Sequence, residues 1–191
     1  MNSTKNEVRK TLLNRRNLLT QKEINEYSRI ICSKLRELEQ FKQSKVIFAY
    51  AGSKNEVSTS SLIQDIINEE KDICLPLTKK DSIELEFYRI FDMNEDLMVG
   101  RYGILEPIPN PVGLVSQQDA EVIIIPGVAF DLSLNRIGYG KGYYDSFLSN
   151  ISKKVAKIAL AYDFQVLENI PSEENDIKMD MIITEKRIIT V

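Results

Sequence analysis

Three glycines alternate with larger residues in the sequence RIGYGKG, which covers positions 136–142. Glycines at every second position leave the main-chain N–H groups uncovered, so a ligand can approach them closely. Arg136 and Lys141 add two fixed cations to the same stretch. Because uncovered amides and cations together suit an oligophosphate, the stretch predicts a phosphate-binding loop. The glycines concerned are Gly138, Gly140 and Gly142.

The residues on either side of this glycine loop predict the elements that hold it. Before it, Val122–Ile125 is a β-branched apolar run, which is typical of a strand buried on both faces. After it, residues 143–148 favour a short helix, whose N-terminal dipole would act on the same phosphate. Asp145 lies in the first turn of that helix, where it could cap the helix or hold a hard cation.

The glycine loop fits neither of the common nucleotide fingerprints, G-x-x-x-x-G-K-[ST] and G-x-G-x-x-G. On spacing alone, a glycine-rich turn with two solvated cations is as good an interpretation as a phosphate site. The longer pattern around the loop favours the phosphate site.

Residues 126–148, PGVAFDLSLNRIGYGKGYYDSFL, resemble the signature of the 5-formyltetrahydrofolate cyclo-ligases, also called 5,10-methenyltetrahydrofolate synthetases. In that family the signature is roughly P-G-x-[AG]-F-D-x-x-G-x-R-[LI]-G-x-G-x-G-Y-Y-D. Leu134 departs from it, because the family usually has glycine there, and this bears on the turn before the glycine loop. The matching positions are Pro126, Gly127, Phe130, Asp131, Arg136, Gly138, Gly140, Gly142, Tyr143, Tyr144 and Asp145.

The opening of the chain predicts a helix over residues 5–19 with cations on one face. At 100° per residue, Lys5, Arg9 and Arg16 fall within about 40° of one another and form a basic stripe. By pattern alone the stripe favours a solvated helix face. The family's opening helix carries K-x-x-[LV]-R, and the resemblance implies that Lys5 and Arg9 contact ATP.

Glu56 follows a predicted strand over residues 45–50 and the loop at its carboxyl end, where open parallel sheets bind ligands. From position alone, an exposed loop acid is the more favoured interpretation. The family has a similar E-[VI]-x-T after this strand, and the resemblance implies that Glu56 binds the pterin, with Ala51 also on the substrate side. A carboxylate suits a pterin because it accepts two N–H bonds from the amino-pyrimidine edge.

Residues 100–115 predict an extended loop that crosses over the site. Within it, residues 102–107, YGILEP, resemble the family's Y-G-I-x-E-P, and we interpret Glu106 as a structural anchor in preference to a substrate contact. Many cyclo-ligases carry a basic residue directly after the proline of an earlier strand. This chain has Leu77 there, with Lys79 and Lys80 following.

The chain contains no histidine, which excludes Ser-His-Asp and Cys-His mechanisms and imidazole-bound zinc. Any metal is therefore expected to bind through oxygen, which favours Mg²⁺. Asp176, preceded by Asn175, matches a position at which the family's aspartate helps to bind magnesium. The resemblance thus implies that Asp145 and Asp176 hold Mg²⁺ together with the phosphates of ATP.

The composition is that of an ordinary globular protein: 191 residues, 43% hydrophobic and 28% charged, which predicts one domain over residues 1–191. A net charge of −3 argues against a nucleic-acid or membrane partner, and two cysteines without C-x-x-C spacing are typical of reduced thiols. No stretch is apolar enough for a membrane span or a signal core, so we expect a cytoplasmic protein, either a monomer or a weak homodimer.

Alternating helical and strand patterns predict an α/β fold with three layers: an open, mostly parallel sheet, helices on both faces, and a terminal antiparallel edge from residues 181–184 and 187–190. The family resemblance implies an ATP- and Mg²⁺-dependent ligase that closes 5-formyltetrahydrofolate to 5,10-methenyltetrahydrofolate, releasing ADP and phosphate. Two other classes remain open: a non-catalytic nucleotide- or folate-binding module, and a sugar-phosphate isomerase or CoA-transferase-like enzyme on a similar sheet.

In this interpretation Arg136 and Lys141 are catalytic, because they neutralise charge on the transferred phosphoryl group. The folate side of the glycine loop is expected to include Tyr139, Gly140, Lys141, Gly142 and Tyr143. The ATP contacts are expected to be Lys5, Arg9, Arg136, Ile137, Gly138, Tyr139, Gly140, Lys141, Gly142, Tyr143 and Tyr144.

Overall fold

The structure is a computed structural model that describes residues 3–79, 81–100, 103–151, 155–173 and 176–190. Its helices are α1 (Lys5–Arg16), α2 (Gln21–Glu37), α3 (Glu39–Gln43), α4 (Ser60–Asn68) and α5 (Tyr143–Ser149). Its strands are β1 (Val46–Phe48), β2 (Asp72–Thr78), β3 (Leu85–Ile90), β4 (Leu97–Val99), β5 (Leu105–Pro107), β6 (Leu114–Val115), β7 (Val122–Ile125), β8 (Ala129–Asp131), β9 (Arg136–Ile137), β10 (Ala156–Leu160), β11 (Val166–Leu167), β12 (Met181–Ile183) and β13 (Ile188–Thr190). Among the described residues, no helix combines the length and apolar character needed to cross a bilayer.

Eight strands form the main sheet in the order β13-β12-β10-β7-β1-β2-β3-β6. The five central strands run parallel to one another, whereas β13 at one edge and β3 and β6 at the other are antiparallel to their neighbours. The predicted mostly parallel sheet is confirmed, as is the terminal hairpin, in which Met181 of β12 lies opposite Thr190 of β13.

Strand β7 lies between β10 and β1 and is buried on both faces. Val122 and Ile124 pack in the apolar cluster that contains α2 and α4, whereas Ile123 and Ile125 pack in the cluster that contains α5. Side chains of a strand alternate between faces, so an unbroken apolar run requires a cover on each side. The predicted three-layer arrangement follows from this.

A smaller sheet, in the order β11-β8-β9, carries the base of the glycine loop. Helix α1 packs on it through Val8 and Leu12, which contact an apolar cluster containing Val128, Ala129 and Ile137. The helix ends at Arg16, three residues before the predicted boundary. Shortly after it a capping box begins α2: the Thr20 hydroxyl accepts the N–H of Glu23, whose carboxylate accepts the Thr20 N–H.

The prediction of an extended loop over residues 100–115 was wrong in part. Strand β5 pairs with β4, and β6 pairs with β3, so the segment belongs to two sheets. The hydrogen-bond partners that order it come from residues at other places in the chain, which a local pattern does not reveal. Tyr102 of the predicted family motif, and likewise Lys80 and Asn175, lie outside the described residues.

Leu134, where the family has glycine, adopts a left-handed backbone with φ of 66°. Its side chain is only 1% exposed and packs in the cluster that contains α5. The turn is held by Asp131, whose carboxylate accepts the N–H groups of Ser133 and Asn135, both at 2.9 Å. Burial of the leucine and this aspartate turn together explain how the chain keeps a conformation that glycine adopts more easily.

Replacing Leu134 with glycine is expected to lower the free energy of unfolding by about 2 kcal/mol, because losing a buried leucine side chain outweighs relief of a left-handed residue. The measurement is urea unfolding followed by circular dichroism. Leu134→Ala is the control, because it removes packing and keeps the strain. A glycine variant as stable as the parent would show that strain, not packing, dominates at this turn.

Candidate functional site

A cavity of about 360 Å³ lies where the loop after β1 meets the glycine loop and the end of β2. Its size is that of a small-molecule site, which typically measures about 300–1,000 Å³. The structure therefore brings most of the predicted site residues together. Those that line the cavity are Ala51, Glu56, Arg136, Gly138, Tyr139, Gly140, Lys141, Gly142, Tyr143, Tyr144 and Asp145.

The glycine loop has the backbone that its alternating glycines predict, for two separate reasons. A Cβ at Gly138 would lie 2.7 Å from Nη1 of Arg136, so this glycine leaves room for the guanidinium. Gly140 has φ of 84°, in the left-handed region that other residues rarely adopt. The loop thus brings its backbone and its cations to the same wall of the cavity.

Arg136 is the buried cation of this wall, with only 8% of its surface exposed. Its Nη1 donates to the carbonyl of Pro126 at 3.2 Å, and its Nη2 donates to Oδ1 of Asp145 at 2.5 Å. The suggestion that Asp145 caps α5 was wrong: Gly142 is the N-cap, and the aspartate pairs with Arg136 instead. The guanidinium is therefore held in one orientation from two sides.

Lys141 is the exposed cation of the same loop. Among the residues that the structure describes, no carboxylate lies within ion-pair distance of its Nζ. An ammonium group on a flexible stem, with no internal partner in this part of the chain, is available to a phosphate.

Two cations of the basic stripe of α1, Arg9 and Arg16, lie against the glycine loop, and the interpretation of the stripe as a solvated face was wrong. Arg9 donates from Nε to the carbonyl of Gly138 at 2.8 Å. Arg16 is 4% exposed, and its guanidinium lies 5.4 Å from the centre of the Tyr139 ring. Arg16 also lines the cavity, although the sequence interpretation placed it in the stripe without assigning it to the site. The helical spacing of Arg16 from Lys5 and Arg9 is the sequence signal that could have identified it as a site residue.

Lys5, from the start of the stripe, pairs with Asp176 at 2.7 Å and with Glu173 at 2.9 Å. Burial disfavours the charged lysine, but hydrogen bonds to the two carboxylates outweigh it and raise the pKa of Lys5. Burial likewise opposes ionisation of Asp176, yet its hydrogen bond from Lys5 lowers its pKa. Both groups therefore stay charged. As far as the structure describes the lining, it does not include Lys5, Arg9, Ile137 or Asp176.

Glu56 also lines the cavity and is 8% exposed, so the interpretation as an exposed loop acid was wrong. Its Oε1 accepts the hydroxyl of Tyr139 at 2.5 Å, and its Oε2 accepts the N–H of Ser53 at 2.8 Å. Tyr162 donates its hydroxyl to the main-chain carbonyl of Glu56 at 2.9 Å. Burial raises the pKa of Tyr139, and that of Tyr162 to about 12, so both donate as neutral phenols at pH 7.

Glu106, on β5, forms part of the cavity wall and is 5% exposed. Its Oε1 accepts the hydroxyl of Thr78, at the end of β2, at 2.6 Å. This hydrogen bond ties the two strands together, which is the geometry expected of a structural anchor.

Within the described part of the chain, four buried side-chain polar atoms have no hydrogen-bond partner. Three of them belong to residues that line the cavity: Nε of Arg16, Nε of Arg136 and the hydroxyl of Tyr144. An unpaired buried polar group costs free energy, and such groups gathered around one cavity indicate a polar ligand.

The carboxylates of Asp145 and Asp176 suit a metal ion only together with another source of oxygen ligands. No group of three or more His, Cys, Asp or Glu side chains in the described residues could hold an ion. Asp145 and Asp176 are both paired with cations, and the charge of Arg136 acts on both. This donor set fits Mg²⁺, which usually takes one or two carboxylates and completes its shell with phosphate oxygens and water.

An open, mostly parallel sheet with a cationic glycine loop and a cavity beside the carboxyl end of β1 defines an α/β protein with a ligand-sized cavity at its sheet edge. The comparisons with known proteins are more specific. The model of the 5-formyltetrahydrofolate cyclo-ligase family matches residues 1–185, and the chain belongs to that family.

Individual relatives cover nearly the whole chain. A Schizosaccharomyces pombe protein described as "Probable 5-formyltetrahydrofolate cyclo-ligase" is 32% identical over 99% of this chain and 98% of its own length. The mouse 5-formyltetrahydrofolate cyclo-ligase is 29% identical over 97% of this chain and 95% of its own. The structure of Aquifex aeolicus 5,10-methenyltetrahydrofolate synthetase superposes with a TM-score of 0.85 at 38% identity, covering 97% of this chain and 92% of that one.

Proposed function

We propose that this enzyme uses ATP to convert 5-formyltetrahydrofolate to 5,10-methenyltetrahydrofolate, with release of ADP and phosphate. One observation carries the proposal: Glu56 and the two cations of the glycine loop, Arg136 and Lys141, line a single cavity. A carboxylate that suits the amino-pyrimidine edge of a pterin thus shares one cavity with groups that suit a triphosphate. Membership of the cyclo-ligase family supports the same activity.

The chemistry requires activation of a poor leaving group. The formyl group on N5 is an amide, and its oxygen does not leave as oxide. Attack of that oxygen on the γ-phosphorus forms a new P–O bond and breaks the bond to ADP. N10 then attacks the formyl carbon, the C–O bond breaks, phosphate leaves, and the proton of N10 passes to solvent. Phosphoryl transfer of this kind depends on positioning and charge neutralisation, so the absence of histidine is no obstacle.

The residues fall into two groups in this proposal. Arg136 and Lys141 neutralise the transferred phosphoryl group and are the catalytic residues. Glu56 holds the pterin, with Ala51, Tyr139 and Tyr143 beside it, and the partnerless Tyr144 hydroxyl is available to the nucleotide. Backbone contacts come from Ile137, Gly138, Gly140 and Gly142. From α1, Lys5 and Arg9 bind the nucleotide.

Asp145 and Asp176 are the proposed magnesium ligands. A magnesium ion held by these two carboxylates would offset part of the negative charge of the phosphates. Asp145 reaches the site from the first turn of α5, and Asp176 from the segment that pairs with Lys5. Because Lys5 and Asp176 neutralise each other, each becomes available to the nucleotide or its ion only when their pairing loosens.

The decisive experiment follows the absorbance of the methenyl product from 5-formyltetrahydrofolate. We expect product only when ATP and Mg²⁺ are both present, one ADP for each methenyl group formed, and loss of activity with EDTA that added Mg²⁺ reverses. A non-catalytic binding module would form no product. An isomerase or transferase on a similar sheet would not require ATP, so product formation without ATP would overturn the proposal.

We also propose that residues 1–191 act as one domain in the cytoplasm. A single eight-stranded sheet with helices on both faces supports one domain. Two free cysteines support a location in the cytoplasm.

A further inference from the structure

We propose that Arg16 determines specificity for the pterin ring by donating a guanidinium hydrogen bond to the ring carbonyl oxygen at C4. This inference rests on the proposed function, because it concerns how the same cavity recognises the reduced folate. It adds a charged residue from α1 to the pterin side of the site, to which Glu56 is already assigned.

The first support is the state of Arg16 itself. Its Nε is buried without a hydrogen-bond partner, and none of the ion pairs found among the described residues includes its guanidinium. The side chain interacts with the hydroxyl of Tyr139, a neutral partner. A buried guanidinium without a carboxylate is nevertheless unfavourable, since it has given up water without receiving a full set of acceptors. Because Arg16 also lines the cavity, a ligand atom there is the natural acceptor.

The second support is the position of Arg16 relative to Glu56. The Tyr139 ring lies between them: the guanidinium is 5.4 Å from its centre, and its hydroxyl donates to Glu56 at 2.5 Å. The side chain of Asn55 donates to the main-chain carbonyl of Arg16 at 3.4 Å, which joins the end of α1 to the loop that carries Glu56. An acceptor and a donor of opposite charge therefore face the same part of the cavity.

The third support is the hydrogen-bond pattern of the pterin. Its pyrimidine edge presents an amino group and a ring N–H, both donors, followed directly by the carbonyl oxygen at C4, an acceptor. A carboxylate satisfies the two donors, and the adjacent oxygen then needs a donor from the protein. Arg16 supplies that donor from a buried position. A ligand that lacks the C4 oxygen would leave this donor unpaired, which costs free energy. Specificity of this kind arises because a ligand without the acceptor leaves a buried polar group of the protein without a hydrogen-bond partner.

The test compares 5-formyltetrahydrofolate with its 4-thioxo analogue, in which sulfur, a poor acceptor, replaces the C4 oxygen and both donors for Glu56 remain. We expect the parent protein to bind the oxo ligand about tenfold or more tightly than the thioxo ligand, as for a hydrogen bond to a charged group. Arg16→Gln should weaken oxo binding by a similar factor, bind both ligands about equally, and leave the KM for ATP unchanged. Arg16→Lys, which keeps the charge, should restore part of the preference.

Arg15→Gln is the matched control. Arg15 is the neighbouring arginine of α1, is exposed, and stacks on Phe164 at 4.6 Å instead of lining the cavity. It should keep the full preference for the oxo ligand. Equal loss of both ligands in Arg16→Gln would mean a purely structural role and would overturn the inference.

The comparison of the two ligands in the unsubstituted protein does not depend on whether a variant folds. Equal binding of the oxo and thioxo ligands by that protein would also overturn the inference. The two proposals fail separately. Ligand preference that depends on Arg16, in a protein that forms no methenyl product, would leave this inference standing without the activity. Normal product formation together with an unchanged preference for the oxo ligand in Arg16→Gln would overturn this inference and leave the proposed activity standing.

Discussion

Replacing Lys141 with alanine is expected to lower turnover by about 10²- to 10³-fold, the range found when one preorganised charge-stabilising group is removed. Lys141 is exposed, lines the cavity, and has no carboxylate partner among the described residues, so its charge is not used to hold the fold. The transferred phosphoryl group accumulates charge that this ammonium can neutralise. Because no ion pair among the described residues depends on this side chain, the loss should fall on kcat and not on stability.

The measurement is kcat and KM for ATP and for folate, together with the thermal unfolding temperature, for Lys141→Ala and Lys141→Arg. The arginine variant keeps the charge and should recover part of the turnover, though its geometry differs. Lys22→Ala is the control, because Lys22 is an exposed lysine of α2 outside the cavity lining. Unchanged turnover and affinity in Lys141→Ala would remove the catalytic assignment of this residue.

Replacing Arg136 with methionine should have a larger effect, about 10³-fold on turnover, because arginines that stabilise phosphoryl transfer contribute at this scale. Stability should also fall, by about 1–3 kcal/mol, since a buried carbonyl loses its charged donor. That carbonyl belongs to Pro126, which accepts Nη1 at 3.2 Å. Asp145, whose side chain is 63% exposed, can be hydrated after the change, so its loss of partner adds little.

Arg89→Met is the control for this variant, at an arginine whose side chain is 34% exposed against 4% for Arg136. Arg89 also has a buried Nε without a partner and an aspartate partner, Asp72 at 2.7 Å, but it does not line the described part of the cavity. We expect a modest loss of stability with turnover unchanged. Urea unfolding and steady-state kinetics on both variants separate the two effects. If Arg136→Met lost stability but kept turnover, Arg136 would be a structural residue of the loop only.

Much of the fold could be predicted from the sequence because its signals are local. The apolar run of β7, the capping box of Thr20 and Glu23, and the glycines of the loop each depend on a few neighbouring residues. Such signals act through backbone geometry and burial, which the chain carries wherever the segment is placed. The strand order and the pairing of β5 and β6 carry no comparable local signal, because they depend on partners distant in sequence.

The same division applies to the site. The sequence by itself determined which side chains are available: the cations and glycines of the loop, the stripe on α1, the acid at position 56, and the absence of histidine. Only the tertiary structure decided which of them are buried and paired. Packing of α1 on the small sheet brought Arg9 to the glycine loop and placed Arg16 in the cavity lining beside the Tyr139 ring, although the pattern of the stripe predicts a solvated face. The physical reason is that burial and ion pairing depend on what the fold places opposite a side chain, and this is set by contacts between segments that are far apart in the chain.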